Sequence, residues 1–163
     1  MVKMKIYIET SAVSNLEQPT SPKEQQDMRD LWALIKQGKY DVVISSVTME
    51  ELDDIKDIRK KEILSQYLDE IDYENIKYDA SMEHIVDMVV QYGILTRNHI
   101  RDCQHIACAL TEKCDCIVTY NMRHMHKITT IKGVRGISIM HSGTVIDIIK
   151  ADVLIDKGVE NDT

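Results

Sequence analysis

Short runs of β-branched and apolar residues alternate along this chain with longer stretches whose apolar side chains recur every three or four positions. Lys5-Ile6-Tyr7-Ile8, Val42-Val43-Ile44 and Cys116-Ile117-Val118 are of the first kind, and helical patterns fill much of the sequence between them. Strand–helix alternation leaves few solutions, because strands joined by helical crossovers lie parallel and need cover on both faces. The expected fold class is therefore α/β: a three-layer sandwich with a mostly parallel central sheet of four or five strands flanked by helices.

Turn and capping residues set the expected boundaries. A first strand over 4–8 ends at Glu9-Thr10-Ser11, and a loop runs through Pro19. Ser21-Pro22-Lys23-Glu24 starts a helix as a capping box with proline at the first helical position. Met28, Leu31, Trp32, Leu34 and Ile35 give its apolar face, and Gly38 ends it. A second strand is expected over 41–45, then a capping box Thr48-Met49-Glu50-Glu51 that puts Glu51 in the first turn of a helix. A charged helix over 56–70 turns Ile58, Ile63, Leu64 and Leu68 inward. A short strand over 73–78 precedes a helix over 81–92, with Ile85, Met88, Val89 and Tyr92 on one side and Gly93 ending it. Asn98 caps a helix to Glu112 whose buried face carries Ile106, Ala109 and Leu110. Strands over 115–120 and 136–140 and a helix from Thr144 to Leu154 complete the expectation.

At 163 residues the chain reads as one domain over 1–155 with a short acidic tail over 156–163. No apolar run approaches the roughly 20 residues that span a bilayer, and the N-terminus enters a strand directly, which reads as a cytoplasmic protein without membrane attachment. Cys103, Cys108, Cys114 and Cys116 then fit buried reduced thiols rather than a disulfide frame, and better than a zinc site shared with His105 or His124. A formal charge of −7 argues against nonspecific polyanion binding. Residues 121–136 run against that balance: Arg123, Lys127, Lys132 and Arg135 lie there with His124 and His126 and no acid. Such a strip suits a phosphate backbone, and suits a solvated loop equally.

Polar residues stand where strands end or a helix begins: Glu9 after the first strand, Glu51 shortly after the second, Asp102 at the head of a helix, Asn121 after Thr119-Tyr120. In an open α/β sheet the carboxyl ends of the strands form the ligand crevice. Oxygen donors gathered there suit Mg²⁺ or Mn²⁺. Asp102 lies one turn before Ile106 and points to the same apolar side, a costly place for a carboxylate without a hydrogen bond, a partner charge or a metal.

Four blocks in order resemble the PIN-domain nucleases, the family that includes VapC-like toxins of toxin–antitoxin pairs. They are Ile6-Tyr7-Ile8-Glu9-Thr10-Ser11-Ala12-Val13-Ser14, Ser45-Ser46-Val47-Thr48-Met49-Glu50-Glu51-Leu52, Arg101-Asp102-Cys103-Gln104-His105-Ile106-Ala107 and Ile117-Val118-Thr119-Tyr120-Asn121-Met122-Arg123-His124. The resemblance implies a PIN-like sandwich and a metal-dependent ribonuclease holding Mg²⁺ or Mn²⁺ through Glu9, Glu51, Asp102 and Asn121. Ser11 and Thr119 would support that site, and Arg123, His124 and Lys127 would contact RNA. It also implies a homodimer and, for a toxin, a cognate antitoxin. Glu9 departs from the family's Asp, and His124 stands where a further acid often follows Asn. A subset of the family resembles this chain in both respects. His99 and His105 read as helix-surface or packing residues.

Two other readings compete. A metal-poor module of the same fold, binding RNA or protein, is motivated by the absent fourth acid. A different Mg²⁺-dependent phosphoryl-transfer enzyme is disfavoured, because the sequence has no GxxxxGK[ST] loop and no Asp-x-Asp after its first strand.

Overall fold

The computed structural model describes residues 3–17 and 21–155; Pro19 and the acidic tail lie outside them. Five strands form one parallel sheet: β1 (Met4–Ile8), β2 (Tyr40–Ser45), β3 (Glu74–Ile76), β4 (Cys116–Val118) and β5 (Asp147–Ile149), in the order β3-β2-β1-β4-β5. β1 pairs with β2 through Ile6 and Val42, and with β4 through Ile6 and Cys116. The chain therefore winds outward to β3 on one side of β1 and resumes on the other side with β4. The β1/β4 boundary is the switch point where α/β sheets open their crevice.

Side-chain alternation divides the core into two layers. Tyr7, Val43, Ile117 and Ile148 face α5 (Glu83–Gln91), α6 (Ile100–Thr111) and α7 (Ile128–Ser142). Ile6, Ile8, Val42, Ile44, Cys116 and Val118 face α1 (Thr10–Ser14), α2 (Pro22–Lys36), α4 (Ile58–Asp69) and α8 (Asp152–Ile155). The expected three-layer α/β sandwich is observed, with every strand pairing parallel. No helix among the described residues is long and apolar enough to cross a membrane.

Several local expectations hold. Ser21 accepts the Glu24 amide at 3.1 Å at the head of α2, Pro22 is its first residue, and Gly38 follows its end with φ +78°. The Glu24 carboxylate also meets Lys150 at 3.2 Å. Others need correction. α3 (Ser46–Asp53) starts earlier than expected: Ser45 caps it, and Thr48 is buried inside it. Glu51 consequently sits beyond the first turn. Ile58 and Tyr92 are 73% and 60% exposed, each at the end of its helix where the core has curved away. A 3₁₀ turn (Arg97–His99) leads into α6, which has no side-chain cap, so Asn98 is not its N-cap.

The C-terminal third differs most. Residues 136–140, expected as a strand, lie inside α7, and the expected helix over 144–154 is β5 followed by the one-turn α8. Ile, Val, Thr and Gly dominate α7 and oppose helix formation locally. Packing overrides that preference, since Thr130, Val134, Ile137 and Ser138 form one buried helical stripe. The β-branched run ending Ile148-Ile149 adds the sheet's edge strand beside β4.

The two glycines of α7 carry a prediction. A Cβ on Gly133 would come 2.5 Å from Ile94 Cγ1, whereas one on Gly136 would meet nothing within 4 Å. Gly136→Ala should stabilise the protein by about 0.8–1 kcal/mol through helix propensity. Gly133→Ala should lose stability, because overpacking costs of about 1–3 kcal/mol exceed that gain. Urea denaturation of both variants checks the contrast, and equal gains would contradict the close packing of α7 on Ile94.

Candidate metal centre

β1 runs into the cleft and stops because Glu9 turns it. Glu9 is the N-cap of α1, with an extended backbone and a side chain folded back onto the helix. Its Oε2 accepts the Ser11 amide at 2.9 Å, the Thr119 hydroxyl at 2.8 Å and the Ser11 hydroxyl. Ser11 Oγ in turn accepts the Tyr120 amide at 2.8 Å, and Thr119 Oγ1 accepts the Asn121 amide at 3.1 Å. The ends of β1 and β4 are thus laced together around one carboxylate oxygen. Glu9 is only 3% exposed, and burial pushes its carboxyl above the usual range despite the opposing influence of His105 and these hydrogen bonds.

Glu51 reaches the same place from α3. Its Oε1 accepts the Thr10 hydroxyl at 2.9 Å and lies 2.5 Å from Nε2 of His105. Burial works to raise its pKa. The hydrogen bond from His105 and its electrostatic influence, with Thr10 and Arg101, outweigh that and hold it below the ordinary value. One carboxylate oxygen each from Glu9 and Glu51 and a ring nitrogen of His105 lie within 4.8 Å of one another. Glu9, Thr10, Ser11, Glu51 and Asn121 line a cleft of roughly 410 Å³, with Lys60 on its wall.

Asp102 stands in the first turn of α6, outside that closest group. Its Oδ1 accepts the Asn121 side-chain amide at 3.4 Å. Burial raises its pKa, His105, His124 and His99 oppose the rise, and the Glu51 charge adds to it. Asn121 Oδ1 accepts the His124 amide at 3.2 Å, shaping the turn that leaves β4. Of the four oxygen-bearing residues read from the sequence, Glu9 and Glu51 approach each other, Asn121 lines the same cleft, and Asp102 contacts Asn121 outside the closest group.

Of the basic residues, Arg123 and Lys127 are exposed, while Arg135 pairs with Asp147 across to β5. His124 is half-buried and stacks on His99 with ring centroids 3.8 Å apart. None of the four cysteines forms a disulfide, and all are buried. Burial pushes the Cys103 thiol up to about 11 and those of Cys108 and Cys114 to about 12, which suits packing and not thiolate ligation.

His105 was the residue that sequence reasoning undervalued. It is fully buried, and its ring spans from Tyr7 to Glu51. α6 is the central helix of its layer, flanked by both α5 and α7, so burial extends almost all round it. The available signal was spacing: His105 lies three residues after Asp102 and so shares its face.

No family model matches the sequence, and no curated protein matches it. Among solved structures, the fold is similar to a chain in the crystal structure of VapBC2 from Rickettsia felis bound to a DNA fragment from their promoter. The TM-score is 0.58 at 14% identity, over 89% of this chain and 98% of that one. At that identity the likeness is one of architecture: a five-stranded parallel sheet flanked by helices, in the PIN-like arrangement.

Proposed function

We propose that this chain is a cytoplasmic Mg²⁺- or Mn²⁺-dependent endoribonuclease, and the toxin member of a toxin–antitoxin pair. The observation that carries the reading is the convergence of the Glu9 and Glu51 carboxylates at the sheet's switch point, one of them almost wholly buried. Two carboxylates that close repel unless positive charge lies between or beside them. The donor set fits a hard cation: each carboxylate is anchored through one oxygen, leaving Glu9 Oε1 and Glu51 Oε2 without a hydrogen-bond partner among the described residues. Glu9, Glu51 and Asp102 would hold the ion, with Asn121 adding a neutral oxygen.

When bound, the cation supplies Lewis acidity and charge neutralisation at a phosphodiester. Ser11 and Thr119 keep Glu9 in place by hydrogen bonding to its inner oxygen. Arg123, His124 and Lys127 lie on the segment leaving the site and would hold the RNA backbone. The fold likeness to a chain of a VapBC2 complex supports an antitoxin partner, and the PIN resemblance supports a homodimer.

Cleavage of a synthetic single-stranded RNA with and without Mn²⁺ tests the proposal. Wild-type protein should cut only with the divalent ion, and Asp102→Asn should cut at least about 100-fold more slowly, since weaker outer-sphere losses already cost about 10–100-fold. Full divalent-dependent activity in Asp102→Asn would refute this donor set. One observation favours the alternative, a catalytically weak module that binds RNA or protein: Asn121 already spends its oxygen on the His124 amide. Calorimetry with Mn²⁺ separates the two, because such a module should give no saturable heat that Asp102→Ala removes.

A further inference from the structure

His105 is a titratable ring at the site whose role the donor set leaves unassigned. Its side chain has no solvent exposure, and both ring nitrogens are engaged. Nδ1 lies 2.6 Å from the Tyr7 hydroxyl, and that hydroxyl lies 2.6 Å from Ser45 Oγ. Ser45 Oγ also accepts the Val47 amide at 3.2 Å. At the other end Nε2 meets Glu51 Oε1, the same oxygen that accepts Thr10.

One assignment gives every hydrogen a single acceptor. Ser45 donates to Tyr7, Tyr7 donates to Nδ1, and Nε2–H donates to Glu51. Burial keeps the Tyr7 phenol protonated, so it has a hydrogen to give. A ring held in this tautomer has no free lone pair for a cation. It also fixes Glu51 Oε1, so that only Oε2 is left to face the cleft that Glu51 lines.

We propose that His105 is a positioning residue: the buried chain Ser45–Tyr7–His105 locks its Nε2–H tautomer onto Glu51 and sets which carboxylate oxygen Glu51 presents to a divalent cation. The inference rests on the metal-site reading above. A histidine ligand would instead require Nε2 to surrender Glu51 and bare its lone pair, a site tuned to transition metals rather than to Mg²⁺. Ligands oriented from behind in this way lose about 10–100-fold in metal affinity when the orienting group is removed.

The test combines tautomer, coordination and affinity measurements on the full chain. Long-range ¹H–¹⁵N correlation spectra should show His105 protonated at Nε2 and bare at Nδ1, both without metal and with saturating Mg²⁺. Electron spin echo spectra of the Mn²⁺-loaded protein should show no directly bonded histidine nitrogen. His105→Leu should weaken Mn²⁺ binding by about 10–100-fold. His105→Gln, whose amide can still donate to Glu51, should recover most of that loss, and Tyr7→Phe should weaken binding less than His105→Leu does. If His105→Leu does not fold, the Gln and Phe variants carry the comparison.

A bonded nitrogen in the Mn²⁺ spectrum, or an Nδ1–H tautomer, would overturn the proposal in favour of a ligand. Mn²⁺ affinity unchanged in His105→Leu, or in both Tyr7→Phe and His105→Gln with no tautomer preference, would reduce the residue to packing. Failure of the wild-type protein to bind Mn²⁺ at all would instead overturn the metal reading, and this role with it. The metal-free tautomer spectrum distinguishes that case, because it reads the hydrogen-bond chain alone.

Discussion

Glu9→Gln should melt at a higher temperature than wild type in the absence of metal, yet neither bind Mn²⁺ nor cleave RNA. The carboxylate is almost wholly buried, and burial raises its pKa. The sign follows from linkage. A carboxyl whose folded pKa exceeds its unfolded value contributes stability below the unfolded pKa, and that contribution is lost as pH rises through the folded pKa. At neutral pH the ionised Glu9 is therefore held at a cost. Glutamine removes the charge and keeps an oxygen to accept from Ser11 and Thr119. A relief of about 1 kcal/mol corresponds to roughly 2–4 °C in a domain of this size. The advantage should vanish on acidification below about pH 4, where wild-type Glu9 also becomes neutral. Loss of a ligand should reduce cleavage by more than about 100-fold, beyond what outer-sphere losses cost. Scanning calorimetry at pH 7 and pH 4 checks the stability half. A metal-free variant less stable than wild type at pH 7 would show that the buried carboxylate stabilises the fold by itself.

That trade between folding and function explains which parts of the molecule were legible in the sequence. β1, β2 and α2 were readable because local signals agree with the tertiary outcome: apolar strands, a Ser-Pro helix start and a glycine stop. The approach of Glu9 to Glu51, and of Asp102 to Asn121, was readable for a different reason. Polar side chains at strand ends and helix heads contradict the apolar pattern around them, and such violations mark sites. Glu51 was placed on the right helix but in the wrong turn, since Thr48 imitates a cap while Ser45 makes one.

α7 was illegible because its glycines and β-branched residues oppose a helix, and only contact with α5 and Ile94 reveals why they are tolerated. β5, three residues long, gains its identity from pairing with β4 rather than from its own sequence. His105 was hidden by the assumption that a helix has one wet face. Its surroundings are set by Tyr7, distant in sequence and reachable only once β1 and α6 are packed together.

Mn²⁺ should stabilise the wild-type protein strongly at pH 8 and progressively less toward pH 5. An ion present at 100 times its dissociation constant adds about 2.7 kcal/mol, or roughly 5–10 °C at about 2–4 °C per kcal/mol. Protons compete for the same oxygens. Burial raises the Glu9 and Asp102 carboxyls above their ordinary values, whereas His105 and Thr10 hold Glu51 below its own. The competition at Glu9 therefore begins above the ordinary carboxylate range near pH 4 and, on acidification, precedes that at Glu51, while Asp102 titrates above its own ordinary value. Without metal Glu9 and Asp102 act in the opposite direction: their protonated forms favour the fold, and that contribution fades as pH rises through their folded values. The gap between the melting curves with and without Mn²⁺ should thus close from both sides on acidification. Asp102→Asn should narrow the gap at every pH and leave Glu9 and Glu51, of which Glu9 alone is raised, to set its acid limb. A Mn²⁺ shift that persists undiminished to pH 4.5 would mean that Glu9 does not touch the ion, and the centre would have to be rebuilt around Glu51 and Asp102.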